Sequence, residues 1–153
     1  MATETRKSSS RRVGRAVQMF RDTPLSFVDG GLVSMVQHQR AGLESGVIGV
    51  ISEKLDLSVD ALLSTLKLPR STVKARQAHG QPLSGQEAER MVRAARIFQR
   101  ATEVLENEED ARTWLKQPLR ALGGEPPLSF LDTDAGYDMV EDELKRIEYG
   151  IVA

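Results

Sequence analysis

The chain has 153 residues, a formal net charge of −1, 40% hydrophobic and 28% charged residues, which is enough apolar material for one compact core or two small ones. It contains no cysteine, which excludes a disulfide framework and a thiolate metal site. No apolar run approaches the ~20 residues of a membrane-spanning helix, and no apolar signal core follows the charged, serine-bearing stretch from Thr3 to Arg12, so a cytoplasmic protein is expected.

The near-zero total conceals an asymmetry. Residues 1–22 hold six basic side chains against Glu4 and Asp22, and residues 23–46 hold Arg40 against Asp29 and Glu44. Residues 47–100 hold nine basic against five acidic side chains, and residues 101–153 hold five against thirteen. A basic front suits phosphate backbones and an acidic rear repels them, so two chemically different partners are expected.

Residues 1–22, with Ser8, Ser9 and Ser10 set among basic residues and little to bury, are expected to form a flexible arm. The arm serves either solubility or contact with DNA phosphates. From Leu25 the pattern becomes helical: Phe27, Val28, Leu32, Val33 and Val36 recur at roughly i, i+3, i+4, and Gly42 fits a helix stop. A second helix, from about Ser45 to Leu55, carries Val47, Ile48, Ile51 and Leu55 on one side. Its Val and Ile content alone would also suit a strand; the spacing favours a helix.

Ser58 fits the N-cap of a short helix holding Ala61, Leu62 and Leu66. Lys67 and Leu68 make a tight link, and Pro69 opens another helix running to about Ala78 and stopping at Gly80. The set Ser84-Gly85-Gln86-Glu87 has the form of a capping box. It starts a long helix whose apolar stripe is Ala88, Met91, Val92, Ala95, Phe98 and Leu105. Arg93, Arg96 and Arg100 lie on another face, expected to meet solvent. Glu106 to Asp110 form an acidic junction, which divides the chain into an arm at 1–22, a body at 23–105 and a C-terminal domain at 106–153.

Beyond the junction a short helix carries Ala111, Trp114 and Leu115, and Gly123-Gly124 with Pro126-Pro127 make a loop. Thr133 or Asp132 caps a last helix with Val140, Leu144 and Ile147 on its apolar face, followed by Tyr149, Gly150 and the apolar end Ile151-Val152-Ala153. No convincing strand pair occurs. The fold class is all-α.

Two short helices joined by a tight link, the second rich in Arg, Lys, Ser, Thr and Gln, have the form of a helix-turn-helix. The N-terminal residues of its second helix would then meet base edges in the major groove: Arg70, Ser71 and Lys74. Thr72, Arg76 and Gln77 are better placed for phosphates, with Val73 turned inward. A generic helical hairpin with a solvated basic face is the competing interpretation. His38 and His79 lack metal-ligand spacing, and no nucleophile elbow, P-loop or dinucleotide fingerprint occurs. Asp132, Asp134 and Asp138 suit the first turn of a helix better than a metal cluster. The sequence therefore points away from an enzyme and from any cofactor.

In the C-terminal third the residues Trp114-Leu115, Pro118-Leu119, Ala121-Leu122-Gly123-Gly124, Pro127-Leu128, Leu131-Asp132-Thr133, Gly136, Val140, Leu144 and Arg146-Ile147-Glu148-Tyr149-Gly150 follow one another in an order and spacing that resembles the toxin-binding domain of the Xre/MbcA/ParS antitoxins. The upstream helix-turn-helix resembles the Xre-like region of the same family, and together the two cover about residues 25–153. The resemblance implies an antitoxin of a type II toxin–antitoxin module. Its partner would be a RES-domain toxin that consumes NAD or transfers ADP-ribose from it. The antitoxin would cover the toxin's NAD pocket, and the complex, built on a homodimer bound to operator DNA, would repress its own operon. The implied toxin contacts are Leu144, Arg146, Ile147, Tyr149, Gly150, Ile151, Val152 and Ala153. Ile147, Tyr149 and Ile151 could instead fold back as core. The alternative function is a transcription regulator of other genes whose C-terminal domain only oligomerises.

Overall fold

A computed structural model describes residues 42–83 and 85–151, together with Gln37 and Arg40. The arm expected at 1–22, the helix expected at Phe27 to Val36, His38, the serine of the expected capping box, Ser84, and Val152 and Ala153 lie outside the described residues. Among those described, six α-helices and two short 3-10 turns form the fold, with two single-residue bridges and no strand.

Helix α1 (Val47–Leu55) buries Val47, Ile48, Ile51 and Leu55, which settles the Val- and Ile-rich segment as helix. Helix α2 (Val59–Thr65) begins at Ser58, whose hydroxyl oxygen accepts the Ala61 N–H at 3.1 Å; this satisfies one of the amides a helix start leaves without an internal partner. The link turns through Lys67 in the left-handed region (φ 56°), and the Leu68 N–H donates to Leu63 O at 2.9 Å. Helix α3 (Arg70–Ala78) follows, with Pro69 extended just before its first turn. Val73 is its one buried residue, so α3 is pinned along a single line and shows its other sides to solvent. After α3 the chain is tied back by a bridge in which Leu43 and Leu83 exchange both backbone hydrogen bonds, at 2.9 and 2.7 Å. Gly42 sits beside this bridge at φ 87°, where a Cβ would stand 3.0 Å from the Pro82 side chain and 3.3 Å from Leu83 O.

Helix α4 (Gln86–Leu105) is the spine. At 20 residues it is about 30 Å long, and it buries Ala88, Met91, Val92, Ala94, Ala95, Ile97, Phe98 and Ala101. The buried set is wider than the expected stripe, because α1, α5 and α6 all pack against this helix. Four of the buried residues are alanines, which lets the neighbouring helices approach closely.

The acidic junction is a built corner. Glu106 ends α4 in the left-handed region (φ 57°), and Asn107 caps α5 (Glu108–Lys116) by accepting the N–H groups of Glu109 and Asp110 at 2.8 and 3.0 Å. Glu108, Glu109 and Asp110 fill the first turn of α5, where the helix dipole favours carboxylates. Lys54 of α1 meets Glu108 at 3.2 Å, and Arg112 and Lys116 donate to the carbonyls of Lys54 and Asp56. A loop closed by Leu119 and Glu125, with Gly123 and Gly124 at positive φ, leads to the turn Pro127–Phe130. Helix α6 (Asp134–Glu148) starts with the Thr133 hydroxyl accepting the Gly136 N–H at 3.0 Å; of the two candidate caps, Thr133 takes the role. The buried cluster runs without a break from Leu43 to Leu144.

Candidate functional site

Two surfaces carry the residues that the sequence singles out. On α3, Arg70, Ser71, Thr72, Lys74 and Gln77 are exposed, as the helix-turn-helix reading expects, and Val73 is inward at 1% exposed. Ser71, Thr72, Ala75, Arg76 and Gln81 line an open cavity of about 470 Å³ alongside the helix. Two of the three cations of α3 are already engaged. The Lys74 ammonium lies 2.5 Å from the Asp60 carboxylate of α2, and Arg76 pairs at 3.1 Å with the largely buried carboxylate of Glu87 on α4. The hydrogen bond from Lys74 holds the Asp60 carboxyl below its ordinary range. Among the described residues Arg70 makes no ion pair, so its fork is the α3 cation most open to an incoming anion or base edge.

Arg90 was not legible as part of this motif. Its guanidinium donates to the carbonyls of Leu66 and Lys67 at 3.1 and 2.8 Å, and so fixes the link between α2 and α3 onto the spine. Its partners are backbone oxygens more than twenty positions away, which leave no mark in the sequence. Lys67, at the tip of the same link, reaches Asp132 at 3.1 Å; among the described residues no group of three or more His, Cys, Asp or Glu is placed to hold a metal ion.

The arginine row of α4 is corrected by the structure. It does not face open solvent: it is the seam along which α6 docks. Arg93 donates to Asp134 at 3.0 and 2.5 Å and to the carbonyls of Leu131 and Asp132. The Arg96 guanidinium lies over the Tyr137 ring, 4.9 Å from its centre. Arg100 stands 3.9 Å from Glu141 and also binds Glu148. The register is constant: 93 with 134, 96 with 137 and 100 with 141, so α4 and α6 run side by side in the same direction. That repeated 3,4 spacing, once in the arginines and once in Asp134, Tyr137 and Glu141, was the signal available in the sequence. Burial pushes the Tyr137 hydroxyl up to about 12. The Arg100 guanidinium is pushed above its ordinary value, chiefly by its hydrogen bond to Glu148.

The second surface is the far end of α6. Leu144 is 0% exposed; it belongs to the core and anchors α6, and so cannot itself be a contact residue in this conformation. Arg146, Ile147, Tyr149, Gly150 and Ile151 are exposed, and among the described residues Arg146 pairs only along its own helix, with Glu143 at 3.3 Å. Ile147, the third residue of the expected apolar face, is 42% exposed because that stripe outruns the body beneath it. The helix closes with the Ile151 N–H donating to Arg146 O at 2.8 Å and Gly150 at φ 66°, a left-handed stop that turns the chain off the helix axis. Among the described residues, the large apolar side chains that stand exposed are Met139, Ile147, Tyr149 and Ile151. All four lie on α6 or just after it, and none of them joins the core.

Comparison with known proteins follows the same division. Residues 34–96 match the antitoxin Xre-like helix-turn-helix domain, and residues 100–150 match the antitoxin Xre/MbcA/ParS C-terminal toxin-binding domain. A Sphingobium protein (strain YBL2) named Prs ADP-ribosylating antitoxin is 31% identical over 108 residues, covering 65% of this chain and 68% of that one. An Antitoxin Xre from Photorhabdus laumondii is 38% identical over 68 residues, covering 44% of this chain and 46% of its own. Another Antitoxin Xre, from Yersinia enterocolitica, is 26% identical over 118 residues, covering 76% and 80%. The α2–link–α3 unit thus falls inside one matched domain and the exposed end of α6 inside the other, and the chain belongs to the Xre/MbcA/ParS family of type II antitoxins, with a helix-turn-helix domain followed by a toxin-binding domain.

Proposed function

We propose that this chain neutralises a RES-domain toxin by covering the toxin's NAD pocket with the last turn of α6 and the residues that follow, and that as a homodimer it represses its own operon through α3. The observation that carries the first half is the concentration of exposed apolar side chains, Ile147, Tyr149 and Ile151, at the C-terminal end of α6, with Met139 exposed earlier on the same helix. Exposed aromatic and aliphatic groups clustered this way suit a concave apolar pocket. Tyr149 is a stiff anchor with a polar tip, and Arg146 a flanking charge, both residue types that dominate interface energies. The acidic surplus of residues 101–153 suits a cleft built for the phosphates of a dinucleotide. The chain acts by binding and carries out no reaction of its own.

The second half rests on the exposed Arg70, Ser71, Thr72 and Gln77 of α3, held out by a single buried line. Paired half-sites one helical turn apart would require a dimer. The test is co-expression: the neighbouring open reading frame is induced in a bacterium with and without this chain while growth and NAD are followed, with a promoter fusion reporting on the operon. Collapse of NAD in the absence of the chain, rescue in its presence and a silenced promoter are expected. A neighbour harmless on its own would overturn the antitoxin half.

A further inference from the structure

Beyond Leu144 the last turn of α6 has no buried residue: Lys145, Arg146, Ile147 and Glu148 are all exposed. Among the described residues Lys145 and Arg146 pair only within the helix, with Asp142 and Glu143. Among the described residues the one polar tie from this turn to the rest of the molecule is Glu148 to Arg100 of α4, made through two guanidinium nitrogens. Arg100 is also the cation shared by Glu103 at 3.8 Å and Glu141 at 3.9 Å. Three carboxylates on two helices therefore converge on a single positive charge, itself three-quarters covered (25% exposed). Removing that charge would leave Glu103, Glu141 and Glu148 repelling one another across the seam. The turn that would swing away is the one carrying Ile147 and aiming Tyr149 and Ile151.

We infer that Arg100 is a positioning residue for toxin binding: with Glu148 it clamps the otherwise unanchored last turn of α6, so that the exposed end is presented to the toxin already ordered. The inference rests on the reading that this end is the toxin-contacting element. An element ordered before binding gives up less freedom on binding, and loss of such order at one or two rotamer-rich side chains weakens association by roughly three- to tenfold. Arg100 need not touch the toxin for this effect.

The experiment uses the full chain and purified RES-domain toxin. Toxin affinity is measured for the native chain, Arg100→Gln, Glu148→Gln, the double variant and a chain ending at Arg146. In parallel, hydrogen exchange is followed over residues 145–151, with thermal melting and operator binding as controls. Each single substitution should weaken toxin binding by roughly three- to tenfold, and the double should be no worse than either, the mark of two groups acting through one contact. Exchange at residues 145–151 should quicken without toxin present, while melting and operator binding stay near the native values. Unchanged affinity in Arg100→Gln, with binding lost on truncation, overturns the clamp and leaves the contact element intact. A loss in Glu148→Gln alone also overturns it, since Glu148 would then meet the toxin directly. Full binding by the truncated chain removes the contact element itself, and the clamp with it.

Discussion

Tyr137 is buried where α6 crosses the arginine row, with the Arg96 guanidinium over its ring and its hydroxyl 3.4 Å from Glu141. Burial raises its hydroxyl to about 12 from an ordinary 10.0. The folded state thus favours the neutral phenol. The associated stability is complete below the unfolded value, declines as pH rises past it and is lost above about 12. Urea unfolding at about pH 9 and about pH 11 should therefore show a loss of stability that Tyr137→Phe largely removes; an equal loss in the variant would contradict the assignment. One residue earlier, Gly136 has no room for a side chain: a Cβ there would stand 1.9 Å from Phe130 O. Since backbone is what it would strike, Gly136→Ala should destabilise the fold by about 3 kcal/mol, read as a lowered denaturation midpoint. This close approach explains why a glycine stands inside the first turn of an otherwise well-capped helix.

At the scale of the element, α3 keeps much of its charge to itself. Lys74 is held by Asp60 and Arg76 by Glu87, which leaves Arg70 as the freest cation of the helix. Arg70→Ala should cost about 1–3 kcal/mol of operator binding and relax the preference at one base position, whereas Thr72→Ala should weaken binding uniformly across sequences. Asp60→Asn should act in the opposite sense, tightening operator binding severalfold by releasing Lys74; gel-shift titrations at two salt concentrations check both directions. The helix-turn-helix itself was legible because its determinants are local: the cap at Ser58, the inward Val73 and the polar run around it. The α4–α6 seam was not, since Arg93, Arg96 and Arg100 look like any solvated stripe until Asp134, Tyr137 and Glu141 are set beside them. The end of α6 was half legible. Val140, Leu144 and Ile147 form one stripe in the sequence, but the body stops beneath Leu144, so Leu144 is core and Ile147 is surface. No period along a helix records where its neighbour ends.

At the scale of the molecule, α4 joins the two surfaces. Arg90 fixes the helix-turn-helix link at its beginning, the arginine row holds α6 along its length, and Lys67–Asp132 ties the link to the start of α6. A continuous buried cluster underlies all of it. The charge asymmetry of the sequence is only partly reproduced at the two surfaces: α3 exposes polar and basic groups, whereas the end of α6 sets Asp142, Glu143 and Glu148 among Lys145, Arg146 and Arg100. The surfaces should be separable by mutation. Arg70→Ala combined with Lys74→Ala should lose operator binding and keep toxin neutralisation, and a chain ending at Arg146 should do the reverse with its melting temperature nearly unchanged. The most direct measurement is a titration of purified RES-domain toxin with the full chain and with the chain ending at Arg146, following NAD loss. The full chain should stop NAD loss at a stoichiometric ratio while the shortened chain leaves it running; equal inhibition by both would show that the toxin is held elsewhere on the molecule.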